Sequence, residues 1–598
     1  MIERVRGRLF LVSLLAAACA QSTPAPKTAA TAPGASPAAA IAKAPAPPRV
    51  GPPLTLMPAA TARTYQMATV SAGSIDRLLV NSAKLVSAAV PIPMTPGGAR
   101  DMLLSEMGLS PEVAANLDLG SPSGAAVVAL DDKGKSGVVL AIPTRGPAEA
   151  DKVIAALGKP VMTSGPLTML ANASGKSQGW VYRAGSVVVL GDEADGMARG
   201  AMLALEARRA SPDDATVTIF PEAIARAHGT DVKTAIAAFI EQVRQTQAAT
   251  NPMVPADSAV YEMFGTMLGL VGDAERIEIG LLADPARGLI LRGRMFPRPG
   301  TKLETAAREV VPFEIDPAVT VGPGAPVMIG AMSIGAVWRE ILGMYRARIA
   351  ADKGKGAAAA LAYYDAFLNG LSGGQSGIVS FVKERPYVTG AFSTPLKDAA
   401  TAVKTAAALG KMDNAAMSVF IRSQLGSSSS MLDWTAKREN VGKAKAIHFK
   451  VTIKKDSALD SDKVRKWVGS GFDFYQAVAG TRVVVTFGHD ARARLAAIAA
   501  GKRGAPITDA AFKEAQASAK GRDGFYYFDF APVLGVVGEV AGNAHLSAAA
   551  RAGAGPIPLV FTSGGDGAGK TLTMDLTLPL AAFTSIGALI AAGVMTPS

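Results

Sequence analysis

Ser71-Ala-Gly-Ser-Ile-Asp-Arg-Leu-Leu-Val80 and Ser333-Ile-Gly-Ala-Val-Trp-Arg-Glu-Ile-Leu342 decide the fold, because they read as two versions of one element. Each follows an apolar, strand-like run, Tyr65 to Val70 in the first case and Val327 to Met332 in the second. Each opens a helix with serine as its N-cap, and Gly73 and Arg77 fall in register with Gly335 and Arg339. A chain that repeats its own punctuation is built of repeated units.

Downstream the correspondence continues in the same order. Ala125 to Leu130 and Val138 to Ile142 flank the turn Asp131-Asp-Lys-Gly-Lys-Ser-Gly137, a hairpin pattern. Its counterpart is Ile378 to Val382 with Tyr387 to Phe392. A helix follows each hairpin, and the same pentapeptide closes both: Ala155-Ala-Leu-Gly-Lys159 and Ala407-Ala-Leu-Gly-Lys411. Ser186 to Leu190 matches Arg482 to Thr486, Ala215 to Phe220 matches Gly524 to Phe530, and a hairpin ends each copy at Pro297 or Pro579. The second copy carries an extra helix, Ser457 to Val478.

Hairpins alternating with amphipathic helices predict an α+β fold: two tandem copies of a mainly antiparallel sheet with helices covering one face. The domains expected are residues 61–318 and 319–598, preceded by a signal at 1–18 and a tether at 19–60. This duplicated plan resembles uncharacterised bacterial exported families known only as domains of unknown function, which implies no activity.

At the N-terminus Arg4, Arg6 and Arg8 precede an apolar run, Leu9 to Ala18, too short to span a bilayer. Cys19, the only cysteine among 598 residues, ends that run. Leu15-Ala16-Ala17-Ala18-Cys19 resembles the lipobox of bacterial lipoproteins, although Ala16 stands where leucine is commoner. The resemblance implies cleavage before Cys19 and lipid attachment to its thiol and new amino group. Ala20 after the cysteine implies sorting to the outer membrane. An ordinary secretory signal is the competing reading, since Ala16-Ala17-Ala18 satisfies the small-x-small rule. The cysteine-free body favours the anchor, because a secreted chain that used cysteines for stability would pair them. From Ala20 to about Pro53 the chain is rich in Ala, Pro, Thr and Lys and cannot bury a core.

Composition narrows the function classes. Hydrophobic residues are 49% of the chain, ample for more than one core. The formal charge is +12, yet only 18% of residues are charged and no Lys/Arg block is interleaved with aromatics, so nucleic acid is not an expected partner.

The motifs that suggest chemistry fail on context. Gly564-Gly-Asp-Gly-Ala-Gly-Lys-Thr571 fits GxxxxGK[ST], but a phosphate-binding loop needs a helix next, and Thr571 to Leu578 alternates like a strand. Leu371-Ser-Gly-Gly-Gln375 resembles the signature of ABC transporter ATPases but precedes the loop match instead of following it. Neither supports a nucleotide partner. Gly370-Leu-Ser-Gly-Gly374 fits GxSxG with its flanks reversed, helix before and strand after, which makes Ser372 a poor nucleophile. His228, His448, His489 and His545 are too scattered for a metal site.

The function expected is therefore a non-enzymatic binding or scaffolding role in the cell envelope, with no cofactor and no metal. Its expected partners are the membrane, through Cys19, and an envelope protein or a lipid. The first alternative is a lipid or hydrophobic-ligand carrier with a cavity lined by Phe525, Tyr527 and Trp467. A serine hydrolase acting through Ser372 is the second.

Overall fold

Alternating apolar residues make the strands. Val128, Val139 and Val189 point one way along neighbouring strands while Val138, Leu140 and Leu190 point the other, the period-two pattern of a pleated sheet. The computed structural model describes residues 48–89, 110–172, 174–208, 211, 213–250, 255–322, 324–469, 471–541 and 555–591. Among them no helix is long and apolar enough to cross a membrane.

The chain divides into two compact units, the first within 1–80 and 95–230, the second within 81–94 and 231–598. In the first, the strands are β1 (Arg49–Val50), β2 (Gln66–Ala72), β3 (Ser123–Ala129), β4 (Ser136–Pro143), β5 (Lys159–Ser164), β6 (Leu167–Ala171), β7 (Ser177–Ala184), β8 (Val187–Gly191) and β9 (Ala215–Ile219). Their pairing order is β9-β2-β3-β4-β8-β7-β6-β5-β1, antiparallel except for β1 against β5.

The second unit holds β10 (Ala274–Asp284), β11 (Gly288–Pro297), β12 (Ala325–Ser333), β13 (Gly374–Phe381), β14 (Val388–Pro395), β15 (Leu432–Val441) and β16 (Ala444–Ile453). It continues with β17 (Phe472–Ala479), β18 (Arg482–Gly488), β19 (Gly524–Asp529), β20 (Pro558–Gly565) and β21 (Leu572–Pro579). Here the order is β10-β11-β21-β20-β19-β12-β13-β14-β18-β17-β16-β15, antiparallel throughout.

Eight consecutive strands of one unit therefore follow the order of eight in the other: β9-β2-β3-β4-β8-β7-β6-β5 and β19-β12-β13-β14-β18-β17-β16-β15. The loops agree in detail. Asp118 N–H donates to the Pro143 carbonyl and Ser372 N–H to that of Pro395, both at 3.0 Å. Thr144 N–H reaches Ser186 and Leu396 N–H reaches Thr481, both at 2.8 Å. Strand β2 is irregular between Gln66 and Ala68, and β12 between Pro326 and Met328. The fold is α+β and mainly antiparallel.

Several details differ from the sequence reading. Gly73 N–H donates to Asp214 and Ser333 N–H to Asp523, so Ser333 is the partner of Gly73 rather than of Ser71. A two-residue slip preserves the alternation of faces, which is why the pattern alone did not reveal it. Ser74 caps the first helix, accepting from Arg77 N–H at 3.1 Å, while the second opens at Gly335 with the Glu309 carboxylate accepting from Ala336 N–H at 2.7 Å. The helix expected over Ser457 to Val478 is confined to Asp462–Val468, and Phe472 onward is β17.

Helices lie on both faces of each sheet rather than one. Val187 and Val189 pack beneath the helix Ala194–Ala207, whereas Val188 packs with the helices Pro111–Asn116 and Pro147–Leu157. In the second unit Val484 lies under the helix Ala491–Ala499 and Val483 under Ala399–Leu409. Finally, β11 pairs with β21, so the hairpin assigned to domain 61–318 continues the sheet of domain 319–598. Compactness divides the chain at 230/231, well before the correspondence boundary at 318/319.

Candidate functional site

On one face of the second unit's sheet, hydrogen-bonded register lines up two rows of residues. Tyr526, Gly330, Gly377, Phe392 and Val485 form one row across β19, β12, β13, β14 and β18. The other runs Phe528, Met328, Val379, Gly390, Phe487, Phe474 and Phe449, ending on β16. Every aromatic side chain in these rows is half-buried, neither sealed in the core nor fully in water.

The rings form two stacked groups, one of five rings on β14, β16, β17 and β18 and one of two on β19. Phe449 stacks on Phe474 with centroids 4.9 Å apart, Phe474 on Phe487 at 5.9 Å, and Phe487 on Phe392 at 5.8 Å. Phe472 adds to Phe474 at 6.2 Å, and Tyr526 stacks on Phe528 at 6.3 Å. These separations are those of favourable aromatic pairs. Glycines make the array possible. A Cβ at Gly390 would run into the Phe487 ring, at Gly377 into Phe392, and at Gly330 into Tyr526. Rings from the flanking strands therefore lie over bare backbone.

The opposite face is closed. Phe525, fully buried, stacks on Phe313 at 5.2 Å and meets Phe512 edge-on at 5.9 Å; Tyr527, 5% exposed, meets Phe512 at 5.3 Å. These two residues belong to one packed core cluster, which places them away from the half-open face. The strand alternates, so Tyr526 and Phe528 rather than Phe525 and Tyr527 reach the half-open face. The side chain of Trp467 lies outside the described residues.

The titratable residues nearby serve structure. His448 places Nδ1 3.0 Å from Glu439 and Nε2 2.8 Å from Asp473, stacks on Tyr475 at 4.4 Å, and shares Glu439 with Arg492. Both ring nitrogens thus face carboxylates. His489 Nε2 lies 3.4 Å from Glu384, and His228 packs against Gly134. Burial pushes the Asp523 and Asp529 carboxyls above the usual carboxylate range, and both Oδ1 contacts of Asp529 come from backbone N–H groups, Ala531 and Ile557. Among the described residues no group of three or more His, Cys, Asp and Glu is arranged to hold a metal.

The motif matches resolve into turns. Residues 566–571 connect β20 to β21, and the Asp566 carboxylate accepts from the N–H groups of Ala568 and Lys570. Asp131 accepts likewise from Lys133 and Lys135, and Asn172 from Ser174 and Lys176. The Gly-Lys pair of the phosphate-loop match thus belongs to an Asp-capped hairpin turn like those at Asp131 and Asn172, with its glycine at φ +77° as the turn requires. Ser372 is exposed, sits between the helix Ala357–Gly370 and β13, and occupies the place of Asp118 in the first unit. Cys19 and His545 lie outside the described residues.

No family model, no curated protein and no solved structure matches this chain. The aromatic array was half legible beforehand: the run Gly524 to Phe530 stood out, but Phe392, Phe449, Phe474 and Phe487 lie far apart in sequence and meet only through register.

Proposed function

We propose that this chain is an exported protein held to the outer membrane by lipid on Cys19, and that it acts by binding rather than by catalysis. Its ligand-contacting surface is the half-buried aromatic face of the second unit, and its ligand is apolar. One observation supports this reading above the others: a stacked group of five rings, two of them over glycines, lies on a sheet face whose opposite side is already closed. Rings held at mutual stacking distance present a large, pre-ordered apolar surface, and an apolar ligand placed on it loses water contact without ordering the protein. Binding of an apolar ligand on this face, rather than in a cavity lined by Phe525 and Tyr527, is therefore favoured over a scaffold that contacts only proteins.

Titration with N-phenyl-1-naphthylamine, a neutral apolar fluorophore, tests the reading. Binding to the full chain is expected to weaken about tenfold or more in Phe487→Asp, the loss of one buried aromatic contact in affinity terms. Unchanged affinity in a variant with native circular dichroism would remove the aromatic face from consideration. For the anchor, mass spectrometry of the membrane fraction is expected to find acyl chains on wild-type Cys19 and none in Cys19→Ser; an unlipidated, soluble wild type would contradict it.

A further inference from the structure

The aromatic rows approach one end of their strands. Phe472 opens β17, Phe487 is the penultimate residue of β18, and Phe474 and Phe449 pair beside them. At that same end the chain passes from β13 to β14 and from β16 to β17, because all four strands alternate in direction across the sheet. Those two connections, residues 382–387 and 454–471, touch: a Cβ at Gly469 would stand 3.5 Å from Cβ of Arg385.

Both connections are cationic and exposed. The first carries Lys383 and Arg385, the second Lys454, Lys455 and Lys466, all of them exposed. Seven Lys and Arg stand against four acids in these connections, of which Asp456 and Asp462 are exposed and Glu384 and Asp460 are engaged. Glu384 faces His489 at 3.4 Å, and Asp460 binds Arg465 and accepts from Asp456 N–H. Arg385 turns toward the Tyr387 hydroxyl, and no ion pair is formed by Lys383, Lys454, Lys455 or Lys466 among the described residues. The first unit's counterparts are nearly neutral. Its corresponding connections, β3 to β4 and β6 to β7, carry Asp131, Asp132, Lys133 and Lys135 in the first and Lys176 in the second.

From an apolar array that ends at a cationic rim, we infer that the ligand of the second unit is an anionic amphiphile, a single molecule with an acyl chain and a carboxylate or phosphate head. The inference rests on the proposed apolar binding and adds its polarity and orientation. The chain lies along Phe392, Phe487, Phe474 and Phe449. Lys383, Arg385, Lys454 and Lys455 meet the head group, where charge complementarity sets selectivity and entry rate in a salt-dependent way.

The test compares 11-(dansylamino)undecanoate with its methyl ester on the full chain and on a variant carrying Lys383→Gln, Arg385→Gln, Lys454→Gln and Lys455→Gln. The acid is expected to bind about tenfold more tightly than the ester at low salt, as a few exposed ion pairs together supply. The variant is expected to erase that preference and leave the ester's affinity unchanged; the four Lys→Arg or Arg→Lys exchanges restore it. Equal affinity for acid and ester, both lost in Phe487→Asp, would overturn the head-group inference while leaving the apolar reading intact. If neither probe binds, both fail. Binding to phosphatidylglycerol vesicles without binding of the monomeric acid would also overturn the inference, in favour of a membrane surface.

Discussion

Row for row, Val217, Val70, Ala125, Leu140 and Leu190 in the first unit occupy the places of Tyr526, Gly330, Gly377, Phe392 and Val485 in the second. One backbone plan carries two surfaces. The first spreads medium aliphatic side chains evenly, each covering its own patch. The second concentrates apolar volume in rings and empties the positions between them. Strand order needs only that apolar residues alternate, and both rows satisfy it. What the face can hold depends on which apolar residues are used, and there the units part.

The largest expected difference lies beneath the rings. Phe525→Ala should cost about 4 kcal/mol, the usual penalty for emptying a phenylalanine site in a closed core. Thr216, its counterpart on β9, should cost about 1 kcal/mol or less as alanine. Chemical unfolding of the full chain measures both, and equal losses would break the contrast. Next in size is Gly377→Val, which drives a side chain into the Phe392 ring and should cost about 2 kcal/mol as overpacking does. Ala125→Gly at the matching place should cost about 1 kcal/mol or less, since it only loosens a strand.

A third prediction concerns pH. Strand β19 ends in Asp529 where the first unit has Phe220. Because burial raises the Asp529 carboxyl in the folded protein, the native state holds that proton more tightly than the unfolded chain. Stability should therefore fall as pH rises from the ordinary carboxylate value through the raised one. Asp529→Asn keeps an oxygen for the Ala531 and Ile557 N–H groups and should flatten part of that slope, the remainder belonging to Asp523. An unchanged profile would place the pH response elsewhere. The smallest effect is at the helix starts: Asp398 caps Ala399–Leu409 by accepting from Thr401 N–H at 2.7 Å, while Gly146 at the same position has no side-chain cap. Asp398→Ala should lower the thermal midpoint by less than either core substitution, and Gly146→Ala should leave it nearly unchanged.

Much of the plan was readable in the residues. The pentapeptides ending at Lys159 and Lys411, the hairpin around Asp131 and the strand Gly524 to Asp529 all lie where alternation and glycine placement put them. Less was readable where period two leaves freedom. Ser71 and Ser333 matched as letters, but backbone pairing sets Ser333 against Gly73. Strands β15 and β16 leave a weaker mark, because Leu432–Val441 and Ala444–Ile453 set lysine, arginine and glutamate among their apolar residues. The face of aromatic rings was the least visible, since adjacency across five strands is a product of register and leaves no mark in any single segment.

Photolabelling of the full chain with a neutral, diazirine-bearing alkyl probe, followed by peptide mapping, tests the central claim most directly. The account predicts that labelled peptides come from β14, β16, β17 and β18, around Phe392, Phe449, Phe474 and Phe487, and that Phe487→Asp removes them. Labels concentrated on β3, β4 and β8 of the first unit, or labelling indifferent to Phe487, would contradict it.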